Sequence, residues 1–104
     1  MPSLEIITWL ESFYAGYCDG DWEHQSGISI TTIDNPGWSV TVDLEGTHLH
    51  ENSFERVKTE RSEHDWITCW YQDGSWQGRG GSHNLQEILE TFRRWAEASN
   101  VGGQ

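Results

Sequence analysis

Lysine and arginine are missing from the first 55 positions of this 104-residue chain, a stretch that holds ten acids. From Arg56 onward six basic residues stand against seven acids, so the first half carries −10 of the formal net charge of −11 and the remainder −1. Without clustered Lys and Arg to meet phosphates, nucleic acid is not expected as a partner. A basic protein is the natural complement, because a surface of one sign steers an oppositely charged partner and raises its association rate. Acidity also aids solubility on its own account.

Cysteine is equally scarce. Cys18 and Cys69 show no metal-ligand spacing, and free thiols are expected of both. The opening Met1-Pro2-Ser3-Leu4-Glu5 lacks the basic start and apolar run of a secretory signal, so the cytoplasm is the expected compartment. No stretch approaches the ~18 apolar residues of a membrane span, and no membrane partner is expected.

Aromatic residues are plentiful: seven Trp, three Tyr and three Phe supply large buried areas or interface anchors. The length suits a single domain, expected over 1–99 with a flexible tail at 100–104. Leu4, Ile7, Leu10, Tyr14 and Tyr17 recur at helical spacing from a Ser3 cap, and Ile6, Trp9 and Phe13 make the apolar stripe unusually broad. Gly20 marks the stop. The period then changes to two. Ile28 and Ile30, then Trp38, Val40, Val42 and Leu44, predict two strands joined by Asp34-Asn35-Pro36-Gly37, whose Pro-Gly order predicts a type II turn.

Gly46 to Ser53 reads as a polar connection, Phe54 to Arg61 as a third strand and Trp66 to Tyr71 as a fourth. A short fifth over Trp76 to Arg79 is weakened by Gly78, Gly80 and Gly81. Asn84, with Glu87 three residues on, caps a last helix whose Leu85, Ile88, Leu89, Phe92, Trp95 and Ala96 share one face. The expected fold is α+β: an antiparallel sheet of four to five strands with an N-terminal and a C-terminal helix packed on one face.

Candidate chemistry concentrates in Cys18-Asp19-Gly20-Asp21-Trp22-Glu23-His24. Asp19, Asp21 and Glu23 alternate as in a calcium loop, but the sixth position is His24 rather than Gly and the twelfth Ile30 rather than Glu. His48 and His50 are spaced for one extended face, yet zinc sites need further ligands at recognisable spacing, and no metal or cofactor is expected. Glu23 with His24, or Asp65 with His64, could form an acid/base pair for a small hydrolase. No activated nucleophile accompanies either pair, so catalytic residues are not expected. Gly78-Arg79-Gly80-Gly81 lacks the Lys and Ser/Thr of a phosphate loop. A Trp beside carboxylates can instead anchor a cationic partner.

The run Trp9 to Tyr17, followed by Cys18-Asp19-Gly20-Asp21-Trp22-Glu23-His24, resembles the immunity protein 53 family. So do Gly27-Ile28, Asp34-Asn35-Pro36-Gly37-Trp38, Asp43-Leu44 with Gly46-Thr47, Glu60-Arg61-Ser62 with Asp65-Trp66, and Asn84-Leu85 with Glu87-Ile88-Leu89 and Phe92. The resemblance implies a small bacterial antidote that binds a cognate toxin of a polymorphic-toxin system, and it implies no catalytic residues. Many such toxins are nucleases with basic clefts, which an acidic surface can fill by imitating phosphates. Asp19, Asp21, Trp22 and Glu23, together with Asp34, Asp43 and Glu45, are the residues expected to carry that contact.

Overall fold

The computed structural model describes residues 2–102, without the side chains of 2–4 and 99–102, and the tail expected over 100–104 lies at and beyond that limit. A first helix, α1 (Pro2–Tyr17), leads through a short α2 (Trp22–Gln25) into five strands and a closing helix. The strands are β1 (Ile28–Ile33), β2 (Gly37–Asp43), β3 (Val57–Ser62), β4 (Asp65–Gln72) and β5 (Ser75–Gly80), and the closing helix is α3 (Leu85–Gly102). All neighbours pair antiparallel in the order β1-β2-β5-β4-β3. The expected α+β sheet with terminal helices is therefore present, with α2 an addition that four residues of sequence could not announce.

Alternation decides which side of the sheet each residue faces. Val40 and Val42 of β2, Trp76 of β5, and Ile67 and Cys69 of β4 are buried on the helix side, where Ile6 and Leu10 of α1 and Ile88, Leu89, Phe92 and Ala96 of α3 meet them. Both helices thus share one face and one core. Burial pushes the Cys69 thiol up to about 12, which leaves it an inert core residue.

Three expectations need correcting. The fifth strand is no fringe element: it is the centre of the sheet, bonded to β2 on one side and β4 on the other. A Cβ on Gly78 would come within 2.5 Å of Ile88 and 2.9 Å of the Trp76 ring, so the missing side chain is the space that Trp76 and α3 occupy. The β1–β2 hairpin forms as expected, but its turn is not type II. The Asn35–Pro36 peptide is cis, and Gly37 already belongs to β2 with a φ outside the left-handed region. Gly37 is small because the Gly80 carbonyl crosses directly over it. Finally, the polar connection after β2 contributes Leu49, wholly buried, to the core.

The β3–β4 hairpin is clipped to the start of α3 by a polar cluster. Arg61 donates to Asp65 at 2.8 and 3.0 Å and to Glu87 at 2.5 Å, while the Asn84 amide donates to Asp65 at 2.9 Å and Glu87 at 3.1 Å. The Arg61 guanidinium, then Asn84, holds the Asp65 carboxyl at about 2, and Arg61 likewise lowers Glu87. Because both folded values lie below the ordinary ones of 3.8 and 4.5, their stabilisation is complete above pH ~5 and drains away as the pH falls towards 2. In melting curves across that window, Asp65→Asn should start below the wild type at neutral pH and decline less steeply in acid. Parallel declines would mean the cluster contributes nothing.

Candidate functional site

The segment linking α1 to β1 folds upon itself. Asp19 accepts from the backbone N–H groups of Asp21 and Trp22 at 2.9 and 3.0 Å, and Glu23 reaches back to the N–H groups of Asp19 and Gly20 at 2.9 and 2.8 Å. Gly20, at φ +96°, supplies the left-handed residue between them. Bonds from Trp22 and Asp21 hold the Asp19 carboxyl below the usual range. Glu23 is lowered by its own N–H and by those of Gly20 and Asp19. Both stay ionised, and both oxygens of Glu23 are committed to the backbone, which leaves it unsuited to act with the exposed His24 as an acid/base pair.

Trp22 is the pin under this loop rather than an exposed anchor. It is 8% exposed, and the rings of Tyr14 and Tyr17 of α1 lie 5.7 Å from its own. One flank of it floors a depression of about 310 Å³ that Asp19, Asp21 and Glu45 border together with Gln25 and Gly46. Three of the acids expected at the site are therefore brought together. Asp43 is near in sequence but occupied: it accepts from the Gly27 N–H at 3.0 Å and the Ser75 hydroxyl at 2.9 Å, tying the entry of β1 to β5. Asp34 sits in the turn beyond the Ile33–Gly37 pair, five residues along β1 from Ile28, about 17 Å away at the rise of a strand.

The histidines considered for zinc go separate ways. The His48 ring stacks on Tyr17 and shares a hydrogen bond with its hydroxyl, whereas His50 takes a 2.6 Å bond from Tyr71 through its carbonyl. Among the described residues no group of three His, Cys, Asp or Glu could hold a metal ion.

Beside the acidic depression runs a feature that motif reading missed. The helix layer stops short of edge strand β1, leaving a groove of about 430 Å³ between them, lined by Ile7, Leu10, Glu11 and Tyr14 of α1 and by Gly27, Ile28 and Ile30. Ile7 is 46% exposed, Tyr14 39% and Ile30 37%. The two concavities adjoin, for Gln25 and Ser26 line one while Gly27 and Ile28 line the other, and the Tyr14 ring, tilted at 58°, meets Trp22 across the boundary. The broad stripe of α1 was the signal available in the sequence. Its Leu10 side is spent on the core and its Ile7 side is left over.

An apolar strip with a carboxylate rim can offer a partner contact area at its centre and charge at its edge. No curated protein and no solved structure matches the chain. The model of one family, described as Immunity protein 53, matches residues 7–97, which takes in α1, the acidic loop, the whole sheet and most of α3. On that match the chain belongs to the immunity protein 53 family.

Proposed function

We propose that this protein neutralises a cognate protein toxin of a bacterial polymorphic-toxin system, stoichiometrically and in the cytoplasm, by covering the toxin's active site. The observation that carries this reading is the continuity of the exposed apolar groove with the depression bordered by Asp19, Asp21 and Glu45. The groove supplies desolvated contact area, and the acids, in the half of the chain without a single cation, supply a field that attracts a basic target. A nuclease with a cationic substrate cleft is the toxin class that such a surface fits, its carboxylates standing where phosphates would lie. Membership in an immunity-protein family agrees with a binding role rather than a catalytic one.

The test is co-expression with the product of the adjacent upstream gene, read as a purified complex and as rescued growth. Within that complex, Asp21→Lys with Glu45→Lys should slow association about 10- to 100-fold at low salt, with a smaller effect at high salt. Glu23 is left alone because its carboxylate organises the loop backbone. Association unchanged by the double reversal would remove this surface from the mechanism.

A further inference from the structure

The open face of the sheet, turned away from the helices, gathers cations among polar residues, with Asp43 and Glu60 also on it. Half of the chain's six cations stand there or at its border: Lys58 of β3, Arg79 of β5 and Arg56, immediately before β3. Lys58 and Arg79 both pair in register with Thr68 of β4, one from each side, so their backbones are about 10 Å apart, two strand spacings. Next to Thr68 on the same face, Trp70 has the Arg56 guanidinium 5.6 Å from its ring and that of Arg79 at 5.5 Å. Among the described residues none of these three cations forms an ion pair, although the chain has 17 acids to offer. Of the other three cations, Arg61 pairs with Asp65 and Glu87 and Arg93 with Glu97, while Arg94 forms no ion pair among the described residues. The rest of the rows through Thr68 and Trp70 is neutral and polar: Gln77, Ser39 and Thr41. A groove of about 670 Å³ runs alongside at edge strand β3, bordered by Arg56, Lys58, Trp66 and Thr68 and, towards its far end, by Arg61 and the acids Glu60 and Glu63.

We propose that this face is a second docking surface for the toxin, and that it takes a carboxylate-bearing segment of that protein. Guanidinium groups resting on an indole are held in place without being neutralised, so their N–H groups are oriented to donate to carboxylates. Trp and Arg are also the residue types that most often dominate binding energy at an interface. The charge pattern selects among occupants. A nucleic acid would bring many phosphates to three cations on a molecule of net charge −11, and long-range repulsion opposes it. A second copy joined face to face by a two-fold axis would set cations against cations. A basic protein with a local acidic stretch meets both demands, being drawn in by the acidic half and fixed by the sheet. This assignment rests on the proposed toxin-binding function.

Binding of the purified toxin to Lys58→Glu with Arg79→Glu, measured kinetically, decides it. About 100-fold weaker affinity is expected, carried by faster dissociation, with the melting temperature kept, whereas Asp21→Lys with Glu45→Lys acts on association. The milder Lys58→Gln with Arg79→Gln should fall between, and serves if the reversal disturbs the sheet. A reversal on the toxin, Asp or Glu to Lys in its acidic segment, should restore affinity to the reversed sheet. Unchanged affinity for both sheet variants overturns the proposal while leaving the toxin-binding function standing. Two further outcomes overturn it by reassigning the face: wild-type binding of an oligonucleotide that the variants lose, or a dimer of this chain that they dissolve. A toxin that fails to bind even the wild type removes the function and this proposal together.

Discussion

Phe92→Ala should destabilise the fold by about 3–5 kcal/mol, the range for deleting a buried aromatic side chain and leaving its cavity. Phe92 is wholly buried, and its ring lies 5.2 Å from Phe13 and 5.9 Å from Trp9 of α1, 5.1 Å from Trp76 of the central strand and 6.1 Å from Trp95 of its own helix. It is thus the residue through which both helices and the sheet meet, and four rigid rings cannot collapse into the space that it vacates. For a domain of this size each kcal/mol moves the midpoint by ~4–8 °C, so a loss of roughly 15 °C or more is expected in calorimetry. Phe92→Leu, which keeps most of the volume, should cost well under half as much. A Phe92→Ala protein melting within a few degrees of the wild type would mean that the aromatic cluster is not what joins the layers.

The features most legible in the sequence were those set by local periodicity. The stripe of α3 and the alternation in β2 each depend on residues within a few positions of one another, and each is found in place. The expected capping box does not close: Glu87 takes the Asn84 side-chain amide, the Asn84 N–H goes to the Gly81 carbonyl, and Asn84 Oδ1 has no partner among the described residues. What the sequence obscured was decided by partners far along the chain. Gly78 looks like a strand breaker until Trp76 and Ile88 are seen to fill its space, and the same glycine then explains why β5 can lie under α3 at the centre of the sheet.

The candidate site divides along the same line. Asp19, Asp21 and Glu23 were legible as a cluster because they share one loop, yet whether a carboxylate is free or committed depends on hydrogen bonds that composition does not reveal. Glu23 and Asp43 are consumed in holding the backbone, Asp34 is carried to the far end of a hairpin, and Glu45 is brought in by the end of β2. Trp22 has the composition of an anchor and the burial of a core residue. The cations on the sheet's open face were hidden for a related reason: Arg56 and Arg79 are 23 positions apart and meet over Trp70, with Lys58 beside them opposite Thr68, only through strand pairing.

Ile7→Asp should weaken toxin binding by about 2 kcal/mol or more, roughly 30-fold, while leaving the melting temperature nearly unchanged. Ile7 lies on the exposed side of α1 at 46% exposure, so the folded monomer loses little by its removal. In a complex the same position would lie near the middle of the strip formed with Tyr14 and Ile30, and an aspartate there would be stripped of water with no cation assigned to it. The expected effect exceeds that of reversing one acid on the rim, because rim charges remain in contact with solvent and act mostly through the encounter rate. Tyr14→Ala, which truncates without adding charge, should also weaken binding, but less than Ile7→Asp. The two classes of variant separate kinetically: Ile7→Asp should raise the dissociation rate, and Asp21→Lys with Glu45→Lys should lower the association rate. If Ile7→Asp binds the toxin as the wild type does but alters self-association, the groove is a contact between copies of this chain. The carboxylates beside it would then act alone, without the apolar area that makes a stable complex.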